Sequence, residues 1–418
     1  MKRNLLLGAM SFFVLALFAQ EQKEVVTGAG YVNDVYYSLE NGGVATVDRM
    51  AWDIGFTTDN FSSSILANNG AGVEVYTYPS GDTADWTTLD TTGMTWTPMY
   101  NSLETFEEGA FGAQASGHPD YGWGTYNPNT HDLSGDSLYV VKTVAGVYKK
   151  LVFSMRGSIA NTWEFKFANL DGSDEHSILL NSGDYKTKSF VFYSLDSIAV
   201  ANDTAIIDRE PAKADWDLLF TKYWDYTIPY SVTGLLTNED HILAQEVKEE
   251  SLDQTTFVAY EDTSFESNIS IVGSDWKSFN MGTFTYDVDS TVVFFIKKYG
   301  ETDSSYYKLY FTAFDYMEGK YVFMQEKLSL VSVPKTGLMQ MLKVYPNPAS
   351  ENVNVLFDHT GEAQIQIIDM TGRTVYSTLY RAGGFSNLSL DISQLNPGLF
   401  FLKLDAENET GVVRFIKE

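Results

Sequence analysis

Trp163-Glu164-Phe165-Lys166-Phe167 sets three aromatic rings at alternate positions, with a carboxylate and an ammonium between them. A period of two is the spacing of a pleated strand with one buried face, not the 3.6-residue stripe of an amphipathic helix. The same reading extends outward. Thr291-Val292-Val293-Phe294-Phe295-Ile296 and Tyr307-Lys308-Leu309-Tyr310-Phe311 are short apolar or alternating runs, as strands buried on one or both faces require. Leu243 to Leu252 is the best helical segment, and it is short and highly charged. Tyrosine (26), phenylalanine (27) and tryptophan (8) make up 15% of the chain, a composition that favours half-buried sheet over helix. The chain is expected to be all-β.

A length of 418 residues allows two or three domains, each able to bury its own core. The formal net charge of −27 argues against a nucleic-acid partner, because a polyanion is repelled. The 44% hydrophobic and 20% charged fractions are those of a folded protein rather than a disordered acidic tail. Cysteine is absent, which removes disulfides, thiolate nucleophiles, zinc–cysteine sites and iron–sulfur clusters. Any iron or zinc would have to use other ligands.

Met1-Lys2-Arg3-Asn4 precedes the apolar run Leu5 to Ala19, the layout of a Sec signal peptide over residues 1–19. The run is shorter than the ~20 residues of a membrane span, and none recurs downstream. The mature chain is therefore expected to carry no transmembrane span.

Compared with itself, the chain repeats. Val35-Tyr36-Tyr37-Ser38-Leu39 returns as Val191-Phe192-Tyr193-Ser194-Leu195, and Trp52-Asp53-Ile54-Gly55-Phe56 as Trp216-Asp217-Leu218-Leu219-Phe220. Gly124-Thr125-Tyr126 matches Gly282-Thr283-Phe284, and Lys150-Leu151-Val152-Phe153 matches Lys308-Leu309-Tyr310-Phe311. The order is kept throughout, so residues 21–183 and 184–332 read as two copies of one antiparallel β module. In each Trp-Asp pair the ring is expected to be buried while the carboxylate accepts turn amides. A catalytic aspartate is the competing reading.

Residues 333–343 have the look of a linker, and Val344-Tyr345-Pro346-Asn347-Pro348 follows, where two prolines disfavour helix. Strand-like runs from Asn352 to Phe357, Ala363 to Ile368, Leu388 to Ile392, Leu399 to Leu404 and Val412 to Ile416 then alternate with turns, one of them Asp369-Met370-Thr371-Gly372-Arg373. Residues 344–418 thus read as a small β-sandwich.

Two resemblances rest on these residues. Tyr345-Pro346-Asn347-Pro348-Ala349, Ile367-Ile368-Asp369-Met370-Thr371-Gly372-Arg373 and Leu395-Asn396-Pro397-Gly398-Leu399-Phe400-Phe401-Leu402 resemble the type A sorting domain of the type IX secretion system of Bacteroidota. That resemblance implies export across the outer membrane to the cell surface or beyond, with the secretion machinery engaged through residues 344–418. Upstream, Asp215-Trp216-Asp217-Leu218-Leu219-Phe220-Thr221-Lys222-Tyr223, Pro229 to Asn238 and Asp275-Trp276-Lys277-Ser278-Phe279-Asn280-Met281 resemble the HmuY family of all-β haem-binding proteins, with the first copy a looser match.

The HmuY resemblance implies haem or another porphyrin as ligand, held by two axial side chains. With cysteine absent, the donors are His, Met or Tyr. Met281 follows the Trp276-to-Asn280 segment where the family places one ligand, and the corresponding residue of the first copy is Trp123, which cannot ligate iron. His241 and His118 are candidates for a second ligand, and His131 lies in a similar loop. Each also reads as an ordinary surface histidine, and Met281 as core filling. No other metal site is expected: Asn169-Leu170-Asp171-Gly172-Ser173-Asp174-Glu175 lacks a full calcium-loop ligand series and reads as a polar hairpin turn, while Asp59-Asn60 and Asn68-Asn69-Gly70 read as turn chemistry alone.

Catalytic motifs are missing: no nucleophile elbow, zinc-protease helix or phosphate loop occurs in the sequence. An enzyme is not expected, although 55 acidic residues leave a glycosidase carboxylate pair open. The expected function is a secreted or surface-held binding protein for haem or porphyrin. The alternative is a module that binds glycan or a partner protein through aromatic β faces.

Overall fold

The computed structural model of the chain describes residues 20–418 apart from 80, 197–204, 249–251, 253–263, 301–303, 329–341, 371 and 407–408. The signal peptide and most of the 333–343 linker lie outside the described residues. The chain forms two compact units, one ending at Ser329 and the other beginning at Leu330. The fold is all-β, and among the described residues no helix is long and apolar enough to cross a membrane.

The first unit contains two sandwiches. In one, a five-stranded sheet runs in the order Glu21–Val26, Lys320–Leu328, Ser304–Asp315, Val292–Tyr299, Ile242–Lys248. A four-stranded sheet, ordered Tyr230–Thr237, Leu218–Asp225, Asn33–Ser38, Gly42–Asp48, covers it. Val35, Tyr37, Phe220, Phe294, Phe311 and Tyr321 share the core between them. Each such side chain contributes roughly 1.5–3 kcal/mol by leaving water. The other sandwich repeats the plan. Strands His176–Asn181, Thr162–Asn169, Tyr148–Gly157, Leu138–Lys142 and Glu74–Thr77 pair in that order, over a sheet ordered Ile206–Ile207, Phe190–Tyr193, Ile54–Thr57, Ile65–Ala67.

The correspondence extends to irregularities. A bulge falls between Phe153 and Met155 in one sandwich and between Phe311 and Ala313 in the other. The Trp123 carbonyl accepts Asp136 N, as the Trp276 carbonyl accepts Asp289 N. Trp123 therefore occupies the place of Trp276, and the pairing of Trp123 with Met281 read from the sequence is corrected. A run of loosely similar aromatic residues had shifted the alignment by five positions.

The sandwiches do not coincide with the stretches 21–183 and 184–332. Strand Glu21–Val26 pairs with Lys320–Leu328, and Asn33–Ser38 with Leu218–Asp225, so the opening strands of the first copy complete the sandwich built by the second. Reciprocally, Phe190–Tyr193 of the second copy pairs with Ile54–Thr57 of the first. The heads of the two copies are exchanged.

The described part of Leu243 to Leu252 is not helical: Ile242–Lys248 is the last strand of its sheet, paired along its length with Val292–Tyr299 and bridged on its other side, at Ala244, to Glu266. Ile242 and Ala244 alternate into the core. Its charged residues suit the outer side of a sheet, where they discourage pairing beyond the single Ala244–Glu266 bridge. Asn68-Asn69-Gly70 is also more than a turn. Asn68 is buried and its Nδ2 donates to the carbonyls of Arg49 and Trp52, both at 2.8 Å. Gly70 is required because a Cβ there would lie 1.7 Å from the Lys222 carbonyl of the other sandwich.

The second unit has a five-stranded sheet in which Asn352–Asp369 pairs along its length with Thr374–Asp391. The runs expected at 352–357 and 363–368 are thus halves of one strand. Gly361 and Gly384, at φ 129° and 112°, lie in the middle of this ribbon, and Val353, Val355, Phe357, Ala363, Ile365 and Ile367 from both halves share one core. The motif residues act as ties: Asn347 Oδ1 accepts Ile416 N at 2.9 Å, and Asp369 Oδ2 pairs with Arg373 Nη2 at 3.0 Å.

Candidate functional site

Asp53 and Asp217 are buried, and each ties its strand to the other copy's head. Asp217 Oδ2 accepts Leu39 N at 2.7 Å and Asp53 Oδ2 accepts Leu195 N at 2.6 Å. Asp217 also takes His241 Nε2 and Lys298 Nζ, both at 2.9 Å from Oδ1. Burial pushes the Asp217 carboxyl up, but its bonds to His241, Lys298 and Leu39 outweigh this and hold it below the usual range. Among the described residues Asp53 accepts from Val144 N, Leu195 N and the Ser194 hydroxyl, and there burial, aided by the charge of Asp196, wins and raises the carboxyl. The aspartates are scaffold ties, and His241 is committed to one of them.

The candidate haem ligands do not converge. Met281 is 73% exposed on the turn joining Lys277–Asn280 to Thr285–Val288. His241 lies just beyond the Thr237 end of strand Tyr230–Thr237, whereas Tyr230, at the other end, belongs with the Phe279 hairpin in one groove. Seven residues of strand separate these ends by roughly 23 Å, far more than one iron can bridge. His118 is exposed in the first sandwich, where it and His131 contact Tyr126 at centroid distances of 5.1 and 6.1 Å. The donor set does not fit haem.

What the Phe279 hairpin does border is a groove of about 730 Å³. Trp276 anchors its floor, stacked on Phe311 with centroids 3.6 Å apart and donating Nε1–H to the Gly273 carbonyl. The chain then turns outward and brings Lys277 beneath the groove, where its ammonium donates to the Thr233 carbonyl and lies 4.3 Å from the Trp276 ring centroid. Burial, partly offset by Asp275, pushes Lys277 down to about 7. Tyr286 packs edge-on against Phe279 at 5.2 Å and against Phe314 at 5.2 Å. Tyr230 and Phe279 are 57% and 43% exposed, so their rings offer open faces.

Polar groups fill the spaces between the rings: Asp225, Thr227, Asn268, Ser270 and Asp275 all line the groove. Burial and the charge of Asp275 raise the Glu246 carboxyl there. Tyr31, which also lines the groove, is held at φ 57°, and Phe284 near the hairpin tip at φ 55°. Positive φ is costly for aromatic residues, and such strain concentrates at functional surfaces. Among the described residues no histidine or methionine lines the groove. Tyr31 and Tyr286 disfavour the phenolate that iron would need: burial lifts Tyr31 to about 12 and raises Tyr286 as well.

The sequence reading missed Lys277, Tyr31 and Glu246. Lys277 had a signal, a lone cation inside an aromatic strand. Tyr31 had none, because it reaches this site only through the exchange of heads.

Residues 343–418 match the family model described as the secretion system C-terminal sorting domain. The second unit is a type IX sorting domain. It marks the chain for export by the type IX secretion system to the cell surface or outside, and the secretion machinery is the sorting domain's partner. A search of curated proteins finds no match to the chain. The HmuY resemblance of residues 21–332 receives no support from the family match, which lies wholly within the sorting domain and its approach.

Proposed function

We propose that residues 21–328 form a glycan-binding module, displayed at the cell surface or released, whose site is the groove around Tyr230, Phe279 and Tyr286. The observation that carries this reading is the pairing of solvent-open aromatic faces with polar side chains in a single groove. The C–H face of a sugar ring stacks on such rings, while its hydroxyls donate to carboxylates and exchange hydrogen bonds with Asn and Ser side chains. Asp225, Glu246 and Asp275 face Lys222 and a Lys277 that is half neutral near pH 7. The local balance is acidic, which selects neutral glycans over anionic ones. The export route brings the groove to where extracellular polysaccharides are met.

A glycan array probed with the labelled full chain tests this. Binding to neutral glycans that falls at least tenfold in Tyr230→Ala and in Phe279→Ala supports the reading. Binding to no glycan, or binding unchanged in both variants, overturns it.

A further inference from the structure

The outer faces of the two four-stranded sheets leave between them a cavity of about 100 Å³, which shares Leu103, Lys222 and Tyr223 with the groove but not Tyr230, Phe279 or Tyr286. Trp52 packs on Phe192 at 4.6 Å and Tyr36 on Trp216 at 5.2 Å, so the cavity is walled by one ring pair from each sandwich. Three N–H donors of its lining residues are buried with no acceptor among the described residues: Trp52 Nε1, Trp224 Nε1 and Arg209 Nε. Trp52 and Arg209 are themselves only 8% and 9% exposed.

The acceptors nearby are already used. Asp34 takes Arg209 Nη2 at 2.6 Å and Arg49 Nε at 2.7 Å, and also accepts the Thr221 hydroxyl. One carboxylate thus serves two guanidiniums. Glu210 accepts Ser189 N, Phe190 N and Trp216 Nε1, and burial raises it to about 7, so its negative charge is only partial at neutral pH. Lys222 also lines the cavity, its ammonium held below the ordinary range by burial and by Arg49. Buried donors without acceptors are costly, and an excess of positive charge favours an anion.

We propose that this cavity binds a small organic monocarboxylate, its oxygens accepting from Arg209 and the tryptophan indoles and its hydrocarbon end lying against Phe192 and Leu66. The size limits the ligand. A cavity of about 150 Å³ accommodates benzene, so one of about 100 Å³ holds a molecule of the size of propionate and excludes a sugar ring.

Calorimetric titration of the full chain with propionate, with propionamide as the neutral isostere, tests the proposal. Saturable one-to-one binding of propionate, at least tenfold tighter than propionamide, is expected. Trp224→Phe removes one donor and keeps the stacking on Tyr100, whose ring lies parallel at 4.6 Å, and is expected to weaken propionate roughly tenfold. Trp52→Phe is the second variant, should the first not fold. Tyr230→Ala, in the groove, should leave propionate binding unchanged, which separates this site from the glycan reading. No propionate binding, equal affinity for propionamide, or unchanged affinity in the indole variants overturns it and leaves the cavity to water.

Discussion

Asp217 Oδ2 accepts the backbone N–H of Leu39 at 2.7 Å, across 178 residues of chain. Its counterpart, Asp53, makes the same bond to Leu195 across 142. Each bond joins the Trp-Asp strand of one copy to the Tyr-Ser-Leu strand of the other. The exchange fastens Glu21–Val26 to Lys320–Leu328, so both ends of the first unit are held within one sheet. Neither repeat closes a sandwich alone.

The fragments that fold should therefore not be the sequence copies. A fragment spanning 49–211 contains Ile54–Thr57, Phe190–Tyr193 and the first core, and is expected to unfold cooperatively in urea. A fragment spanning 21–183 lacks Phe190–Tyr193 and Leu218–Asp225, which leaves Ile54–Thr57 paired with Ile65–Ala67 alone and Asn33–Ser38 with Gly42–Asp48 alone, each on one side only. It is expected to lack a cooperative transition. The opposite outcome would mean that the heads can return to their own copies.

The two aspartates should differ in cost. Asp217→Asn leaves Lys298 and His241 facing an uncharged group in a buried setting, and is expected to lose about 3–5 kcal/mol. Asp53→Asn removes a charge that burial already disfavours, and should lose about 1–2 kcal/mol. Urea unfolding of the two variants side by side checks the order, and equal losses would contradict the assigned electrostatics.

Lys277 makes stability depend on pH. Its ammonium drops from the ordinary 10.5 to about 7 in the fold, so between those values the unfolded chain binds more protons than the folded one. Stability from this group therefore rises with pH through that window, and the penalty is largest below about 7. Lys277→Met is expected to raise the melting temperature at pH 6, by roughly 4 °C or more, and to lose most of that advantage by pH 10. Thermal unfolding at the two pH values measures it. An advantage that does not shrink with pH would show that the lysine is not buried as a cation.

Much of this was legible before any coordinates. The alternation in Trp163-Glu164-Phe165-Lys166-Phe167 appears as strand Thr162–Asn169 with Trp163, Phe165 and Phe167 in the core, because a buried face imposes its period on the residues. The sorting motif was legible for a similar reason: the side chains of Asn347 and Asp369 accept the backbone N–H groups of Ile416 and Arg373. Partner choice was hidden. Nothing local in Val35-Tyr36-Tyr37-Ser38-Leu39 tells whether it pairs with the strand after Trp52 or the one after Trp216, since the two are nearly equivalent. The groove was hidden with it, because Tyr31 joins Tyr230 and Tyr286 only through that choice. Met281 misled because a thioether beside an aromatic strand reads as buried, whereas a hairpin tip leaves it in solvent.

The glycan groove is most directly tested by a crystal of the full chain soaked with the neutral glycan that binds best on the array. The account predicts sugar density stacked over Tyr230, Phe279 and Tyr286, with hydroxyls within hydrogen-bond reach of Asp225 or Asp275. Sugar density elsewhere on the molecule, with these rings bare, would contradict it.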